Sequence, residues 1–207
     1  MNIVLIGAPA SGKGTQAKIL ASEFNLLHIS TGALLRKILN EDTPLAKDIK
    51  KYVQSGKLVP DEIVLSVLKD YLSKTDTKNG VLLDGFPRTI NQAELLDGFL
   101  QIDFAFEIDI SLKTAIDRSS DRYICSGCGA GYIMSKYGKW TCDKCGGQIV
   151  KRTDDTTETV KTRYNDYLAV QKVIINHYKK SNKYFHIDGE KSSEEVFSEI
   201  CGVIKQK

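Results

Sequence analysis

The chain lacks the features that mark several broad classes of protein. No stretch of its 207 residues approaches the roughly 20 apolar residues of a membrane-spanning helix, so we expect no membrane span. The N-terminus has no basic segment and its apolar run ends at Gly7, so we expect no signal peptide and a cytoplasmic location. A net charge of only +3 gives no reason to expect binding to nucleic acid or to a membrane surface. The sequence has no internal repeat and no low-complexity segment.

Arginine is also scarce, because it supplies only six of the 29 lysine and arginine residues. A chain that uses lysine for its solvated surface leaves arginine for other tasks, and the rigid guanidinium fork pairs bidentately with phosphate. The alternative is a lysine-biased composition with arginines at random positions. The six are Arg36, Arg88, Arg118, Arg122, Arg152 and Arg163.

What is present fits one α/β domain with insertions. The hydrophobic share of 42% and the charged share of 27% are ordinary for a globular protein with a sizeable core. Helical patterns separate the apolar runs, which predicts a mostly parallel sheet with helices on both faces. The runs rich in β-forming residues lie at 2–6, 26–29, 81–84, 104–110 and 184–188.

Two segments depart from the strand–helix alternation and are interpreted as insertions. Residues 30–59 contain two helical stretches, at 31–40 and 43–54, without a strand between them. Residues 121–155 hold four cysteines, several glycines and the only tryptophan. The remaining ranges, 1–29, 60–120 and 156–207, form the predicted core domain.

Helix starts are marked at three places. Pro60 suits the first turn of the helix that follows the first insertion. Asp155 to Glu158 reads as a capping box that opens a helix running to about residue 180, and Ser192 to Glu195 opens the last helix in the same way. Cys201 occupies an apolar position of that last helix, so we expect a buried thiol.

The segment Gly7-Ala-Pro-Ala-Ser-Gly-Lys-Gly-Thr15 follows the first apolar run and precedes a helical pattern. A strand, a glycine-rich turn with a lysine and a helix are the parts of a P-loop, in which backbone N–H groups hold phosphates. Gly14 stands where Ser or Thr usually follows the lysine, so the hydroxyl comes one residue later, at Thr15. A glycine turn that merely caps a helix is the alternative. The predicted phosphate-binding residues are Ala10, Ser11, Gly12, Lys13, Gly14 and Thr15.

Four cysteines form two CxxC pairs, 13 residues apart, in the second insertion. Paired knuckles indicate a four-thiolate zinc site, and an insertion of this size needs such a staple because it is too small for a core of its own. Two disulfides and a catalytic zinc are the alternatives. The aromatic residues beside the cysteines suggest packing around the metal, or else a nucleic-acid-binding ribbon. The predicted ligands are Cys125, Cys128, Cys142 and Cys145, and the aromatic residues are Tyr132, Tyr137 and Trp140.

Three further motifs complete the pattern: Ser30 to Arg36 after the second strand run, Leu58-Val-Pro-Asp-Glu62 after the first insertion, and Asp84-Gly-Phe-Pro-Arg-Thr-Ile-Asn-Gln92 after the third strand run. Together with the P-loop they make the whole chain resemble the adenylate kinase family, in its long-lid, zinc-bearing form. The resemblance implies a P-loop NTP hydrolase-type core with a five-stranded parallel sheet. It also implies the reversible reaction ATP + AMP = 2 ADP with Mg²⁺, an AMP-binding insertion at 30–59 and a mobile lid at 121–155.

The resemblance implies site residues by position. On the ATP side, besides the P-loop, they are Arg118, Arg122, Gly131, Tyr132 and Lys191, with Asp84 holding magnesium through water. On the AMP side they are Thr31, Arg36, Lys57, Leu58, Val59, Gly85, Phe86, Pro87, Arg88, Gln92, Arg152 and Arg163. The expected catalytic residues are Lys13, Arg88, Arg122, Arg152 and Arg163, and Asp154 and Asp155 match a hinge-side acidic pair. We expect ATP, AMP and ADP as partners, and a monomer.

All six arginines therefore fall on phosphate-handling positions. The chain departs from the family pattern at Ala10, which replaces a glycine, and at Ala33, which replaces an acidic residue. It departs again at Asp121 and Tyr123, where arginine or glycine flanks Arg122 in the family. Alternatives to the AMP reaction are a UMP or CMP acceptor, a GTP donor, or a nucleotide-gated zinc module that binds nucleic acid.

Overall fold

A computed structural model describes residues 1–39, 41–54, 59–152 and 155–207. The strands are β1 (Ile3–Ile6), β2 (Leu27–Ser30), β3 (Val81–Asp84), β4 (Phe104–Asp109), β5 (Arg122–Cys125), β6 (Gly131–Ile133), β7 (Ile149–Lys151) and β8 (Tyr184–Asp188). The helices are α1 (Lys13–Glu23), α2 (Thr31–Ile38), α3 (Pro44–Gln54), α4 (Asp61–Ser73), α5 (Ile90–Asp97), α6 (Leu112–Ser120), α7 (Met134–Tyr137), α8 (Thr157–Lys180) and α9 (Ser193–Lys205).

The larger sheet has five parallel strands in the order β2-β3-β1-β4-β8, which confirms the predicted fold class. β1 lies at the centre, where Ile3 pairs with Leu82 on one side and with Phe104 on the other. The strand order reverses direction at β1, and ligands of open α/β sheets bind at the carboxyl ends of the strands at such a point. The P-loop that follows β1 is therefore placed at the expected binding crevice.

Helices cover both faces of this sheet because successive side chains of each strand point to opposite sides. Ile3 and Leu5 join a buried cluster with Leu20 of α1 and Ile200 of α9. Val4 and Ile6, on the other face, join a second cluster packed under α4, α5 and α8. The core thus lies in two layers, one on each face of the sheet. Neither layer covers the carboxyl edge of the sheet, where the P-loop lies.

A second, antiparallel sheet has the order β6-β5-β7 and lies between α6 and α8 in the chain. Its core is small, with only Cys125, Cys142 and Ile149 buried among the described residues of this cluster. Asp121 supports the sheet, because its carboxylate accepts from the backbone N–H of Ser135 at 3.0 Å at the start of α7. Such a core needs reinforcement from the cysteines.

Two predicted helix starts are wrong in detail. The N-cap of α8 is Thr156, whose side chain accepts from the N–H of Thr159, and Asp155 forms no capping box because its carboxylate pairs with Arg122. Pro60 is the N-cap of α4 and precedes its first turn. The capping box of Ser192 and Glu195 on α9 is confirmed.

Cys201 is buried, as predicted, and leaves 8% of its surface exposed. In the described residues no helix combines the length and the apolar character that crossing a membrane would require.

Candidate functional site

The P-loop wraps tightly because two of its glycines permit a close approach or an unusual backbone. A Cβ on Gly7 would lie 2.5 Å from the carbonyl oxygen of Ile108 and 2.7 Å from Ser11 Oγ. Gly12, the N-cap of α1, has a φ of +95°, which favours glycine. The backbone N–H groups at the start of α1 are thereby turned toward the carboxyl edge of the sheet, where an anion is stabilised.

Ala10 stands in this loop with a φ of +60°, in the left-handed region. Glycine adopts that conformation freely, whereas a Cβ makes it unfavourable by about 1 kcal/mol or more. Alanine at this position is therefore accommodated as local strain.

Lys13 folds its ammonium group back onto the loop. Its Nζ donates to the carbonyl oxygens of Gly7 and Ala8, both at 2.6 Å, and lies 3.2 Å from Ser11 Oγ. Burial lowers the pKa of Lys13 to about 7; Asp84 opposes this shift, while the positive charges of Arg88, Arg122 and Arg163 add to it. The lysine thus lies in a cluster of cations, and this cluster favours the binding of an anion.

Asp84 ends β3 beside the P-loop. Its Oδ2 would lie 3.3 Å from a Cβ on Gly14 and is 3.9 Å from Nε2 of His28. Burial raises the pKa of this carboxyl, but the neighbouring His28 ring and the charge of Lys13 outweigh burial, so the pKa lies below its usual range. An ionised carboxylate at this place is the hard oxygen donor that magnesium prefers, so the residue fits a Mg²⁺–nucleotide.

The carbonyl of Gly85 joins two residues predicted on the AMP side. It accepts from Thr31 Oγ1 at 3.1 Å and from Arg88 Nε at 2.8 Å. Gly85 has a φ of +79°, and a Cβ there would lie 3.2 Å from Arg88 Nη2. These bonds hold the guanidinium of Arg88 by its Nε, beside Thr31.

Three arginines from separate elements converge on this point. Arg163 of α8 and Arg36 of α2 both act electrostatically on Arg88. The pKa of Arg88 lies below its usual range, first because surrounding protein desolvates the charge and then because Arg163 repels it. The Arg36 guanidinium lies over Gly32, 3.3 Å from the Cβ position of that glycine. Like charges brought this close are stabilised by binding a phosphate between them.

Gln92 is almost completely buried, with 3% of its surface exposed, and bonds to two neighbours. Its Nε2 donates to Asp61 Oδ1 at 2.7 Å, and its Oε1 accepts from the backbone N–H of Arg88 at 2.7 Å. Asp61 also accepts from Thr89 Oγ1 and Asn91 Nδ2. Asp61 is a residue that sequence reasoning does not single out, although it lies within the Leu58–Glu62 motif.

The other predicted AMP-side residues are placed unevenly. Val59, Phe86 and Pro87 are buried, and the Phe86–Pro87 peptide bond is cis. Thr31 is buried at the start of α2 and lines a narrow apolar crevice together with Leu34, Leu35, Val64, Val67 and Leu68. Lys57 and Leu58, predicted on the AMP side, and Asp154 of the acidic pair lie outside the described residues.

The side chains of three predicted ATP-side residues, Arg118, Lys191 and Tyr132, bond to protein groups in this structure. Arg118 Nη2 donates to the carbonyl of Gly189 at 2.9 Å, and Lys191 Nζ donates to Glu199 at 2.8 Å. Gly131 is exposed at the start of β6. The hydroxyl of Tyr132 donates to Asp143 at 2.6 Å and lies 3.0 Å from Cys142 Sγ, so it faces the cysteines.

The four cysteines form one cluster, in which all four sulfurs lie within 4.8 Å of one another. The Sγ atoms are 3.4 Å apart for Cys125 and Cys145, and 3.6 Å apart for Cys128 and Cys142. A disulfide needs about 2.05 Å, whereas tetrahedral zinc at about 2.3 Å from each sulfur spaces the sulfurs by about 3.8 Å. The arrangement therefore fits a four-thiolate zinc site and excludes the two-disulfide alternative.

The aromatic residues near the cysteines are only partly as predicted. Tyr132 and Tyr137 pack against the buried cysteines, with ring centroids 4.4 Å apart. Trp140 is 60% exposed, forms a T-shaped pair with Tyr123 and is not part of the buried cluster around the cysteines. Its position two residues before Cys142, at the end of the short ribbon, places the ring outside that cluster.

Comparison with known proteins finds matches along nearly the whole chain. The model of the adenylate kinase family matches residues 5–183. The chain is 43% identical over 212 residues to an adenylate kinase of Clostridium tetani (strain Massachusetts / E88), covering 99% of this chain and 98% of that relative. It is 43% identical over 213 residues to one of Clostridium perfringens (strain SM101 / Type A), with the same coverage. It is 41% identical over 216 residues to one of Clostridium botulinum (strain Eklund 17B / Type B), covering all of both chains.

Proposed function

The chain belongs to the adenylate kinase family and catalyses ATP + AMP = 2 ADP with Mg²⁺, and from that premise we propose which residues perform the reaction. The observation that carries the assignment is the convergence of Arg88, Arg122 and Arg163 on Lys13 at the carboxyl edge of β1 and β3, where the charge of each arginine lowers the pKa of the lysine. Two polyanionic nucleotides meeting there neutralise this cluster.

The mechanism we assign is one of positioning and charge neutralisation. The AMP phosphate is already an ionised nucleophile, so the reaction needs no general base. The loop amides and Lys13 hold the β- and γ-phosphates, while Arg88 and Arg36 hold the AMP phosphate in line with them. When bound with ATP, magnesium neutralises phosphate charge, and Asp84 is the carboxylate placed to hold its water ligands.

The remaining catalytic arginines, Arg122, Arg152 and Arg163, stabilise negative charge on the transferring group. One arginine in this role accounts for about 10³–10⁵ in rate. Residues 121–155 form the lid and residues 30–59 form the AMP-binding insertion, both carried on the core formed by 1–29, 60–120 and 156–207. Closure of the lid over both substrates excludes water, which would otherwise accept the phosphoryl group.

The remaining site residues position the nucleotides. Gly131, Tyr132 and Lys191 contact ATP, and Arg118 supports its phosphates. Thr31, Val59, Lys57 and Leu58 line the AMP pocket, and Gln92 bonds to the adenine edge. The zinc keeps the lid a rigid body. We further propose a cytoplasmic monomer that acts on ATP, AMP and ADP and binds neither nucleic acid nor membranes.

The decisive experiment measures ADP formation from ATP with a panel of monophosphates, namely AMP, UMP, CMP and GMP, and with GTP as an alternative donor. We expect AMP with ATP to be turned over at the highest kcat/KM. A higher kcat/KM with UMP or CMP would show that AMP is not the preferred phosphoryl acceptor. A parallel gel-shift with RNA tests the zinc ribbon, and a nucleotide-dependent shift would favour the nucleic-acid alternative.

A further inference from the structure

The side-chain amide of Gln92 has a fixed orientation. A carboxylate only accepts hydrogen bonds, so the atom that lies 2.7 Å from Asp61 Oδ1 must be the amide nitrogen. A backbone N–H only donates, so the atom that lies 2.7 Å from the nitrogen of Arg88 must be the amide oxygen. Rotating the amide by 180° would place the amide oxygen against the Asp61 carboxylate and the amide nitrogen against the N–H of Arg88. Neither contact could form a hydrogen bond, so the rotated orientation is disfavoured.

Asp61 is itself held so that it can impose this orientation. Its Oδ2 accepts from Thr89 Oγ1 at 2.7 Å and from Asn91 Nδ2 at 3.0 Å. Thr89 is the N-cap of α5 and accepts in turn from the N–H of Gln92 at 3.1 Å. Oδ2 of the carboxylate is thus bonded to residues at the start of the helix that carries Gln92, and the other oxygen, Oδ1, accepts from the Gln92 amide.

The fixed amide leaves one donor and one acceptor for a ligand. Each amide atom uses one of its two bonding positions in these contacts, and no second partner of either atom occurs among the described residues. Adenine offers an acceptor at N1 and a donor at the 6-amino group, which complements this pair. A 6-oxopurine offers a donor at N1 and an acceptor at O6. In the same pose the amide nitrogen of Gln92 would face the N1 donor and the amide oxygen would face the O6 acceptor, so neither hydrogen bond could form.

We propose that Asp61 is a specificity-determining positioning residue that excludes 6-oxopurine monophosphates by fixing the Gln92 amide. The inference rests on the proposed function, in which Gln92 faces the base of the monophosphate acceptor. A rotated amide would pair with a 6-oxopurine as well as the observed one pairs with adenine. The discrimination therefore depends on what holds the amide, and Asp61 supplies its charged contact.

The test uses the Asp61→Asn variant of the full chain and compares kcat/KM for AMP with kcat/KM for IMP, which differs from AMP only at N1 and C6. Asparagine has nearly the same shape and can donate as well as accept, so it tolerates both orientations of the amide. We expect the AMP-to-IMP ratio to fall about tenfold, as loss of one charge-assisted hydrogen bond implies. Glu62→Gln is the matched control, because it removes the same charge from an exposed neighbour on the same turn. Its ratio should equal that of the wild type.

Both kcat/KM values are measured on one enzyme preparation. Partial misfolding of the variant therefore lowers both values by the same factor and leaves their ratio unaltered. A ratio in Asp61→Asn equal to that in the wild type overturns the inference while AMP turnover stands. Failure of the wild type and of Glu62→Gln to convert ATP and AMP into ADP overturns the proposed function itself.

Discussion

The guanidinium of Arg122 and the carboxylate of Asp155 form a two-pronged ion pair, with Nε 2.7 Å from Oδ2 and Nη2 2.5 Å from Oδ1. The Asp155 side chain is fully buried, and Arg152 Nε lies 3.7 Å from the same carboxylate. Arg122 opens β5, and Asp155 precedes the N-cap of α8, so the pair joins the two connections of the antiparallel sheet. One carboxylate therefore neutralises two arginines that we assign to phosphate when no nucleotide is bound.

Replacing Asp155 with alanine should destabilise the empty enzyme and make it more dependent on nucleotide. The variant removes the carboxylate that pairs with the largely buried Arg122, which should lower the free energy of unfolding by about 3 kcal/mol. ATP phosphates can take the place of the carboxylate, so saturating ATP should raise the melting temperature of Asp155→Ala more than that of the wild type.

Urea unfolding and thermal melts with and without ATP measure both effects. Asp166→Asn is the control, because Asp166 is exposed on α8, the helix that follows Asp155. An Asp155→Ala protein with wild-type stability, or with the wild-type response to ATP, would show that the ion pair has no such role.

The lowered pKa of Lys13 predicts a pH dependence of ATP capture. Burial holds this pKa at about 7 in the empty enzyme, so the ammonium loses its proton as the pH rises through that value. Bound phosphates favour the charged form and raise the pKa again. We expect kcat/KM for ATP to fall above pH 7, while kcat, which reports the bound enzyme, stays level to a higher pH. A kcat/KM profile that remains flat to pH 9 would contradict this.

Arg88→Ala should remove most of the turnover and leave the fold intact. The guanidinium bonds to the rest of the protein through Nε and the Gly85 carbonyl, so its loss removes one backbone contact and the charge in the cleft. We expect kcat to fall about 10³-fold, as for other phosphate-directed arginines. Lys113→Ala, which removes an exposed cation of α6, is the control and should keep the wild-type rate. Circular dichroism checks the fold, and near-normal ADP formation by Arg88→Ala would refute the assignment.

The parts of this fold that the sequence predicts are those determined by short stretches of chain. The strand β1 and its P-loop, the four cysteines and the capping box at Ser192 each depend on neighbours within a few residues or on a fixed spacing. The five-stranded sheet follows, because the strand runs alternate with helices.

The contacts that sequence reasoning misses join residues far apart. The local pattern around Asp155 predicts a capping box, but the carboxylate pairs with Arg122, 33 positions earlier, and the N-cap is Thr156. Asp61 bonds to Gln92, 31 positions later, and no local pattern distinguishes it from an ordinary acidic residue in the first turn of a helix. Single-sequence patterns do not contain such pairings, because they form only when the elements pack.

Removing the metal should unfold the lid while the core stays folded. The antiparallel sheet buries little apart from Cys125, Cys142 and Ile149, so the thiolate–zinc bonds supply most of what holds it together. We expect one zinc per chain in the purified protein and a Cys128→Ser variant that binds zinc weakly. That variant should lose most ADP formation, because Arg122 and Tyr132 lie on the strands that the site organises.

Metal analysis, activity and limited proteolysis test this expectation together. Cleavage of Cys128→Ser should concentrate between residues 121 and 155, and the core fragments should keep their far-ultraviolet circular dichroism. Cys201→Ser is the matched control, since that buried thiol lies on α9, away from the cluster, and should leave the zinc content unchanged. The core clusters of the five-stranded sheet include none of the four cysteines, so core melting that follows zinc loss would show a coupling between lid and core that this packing does not provide.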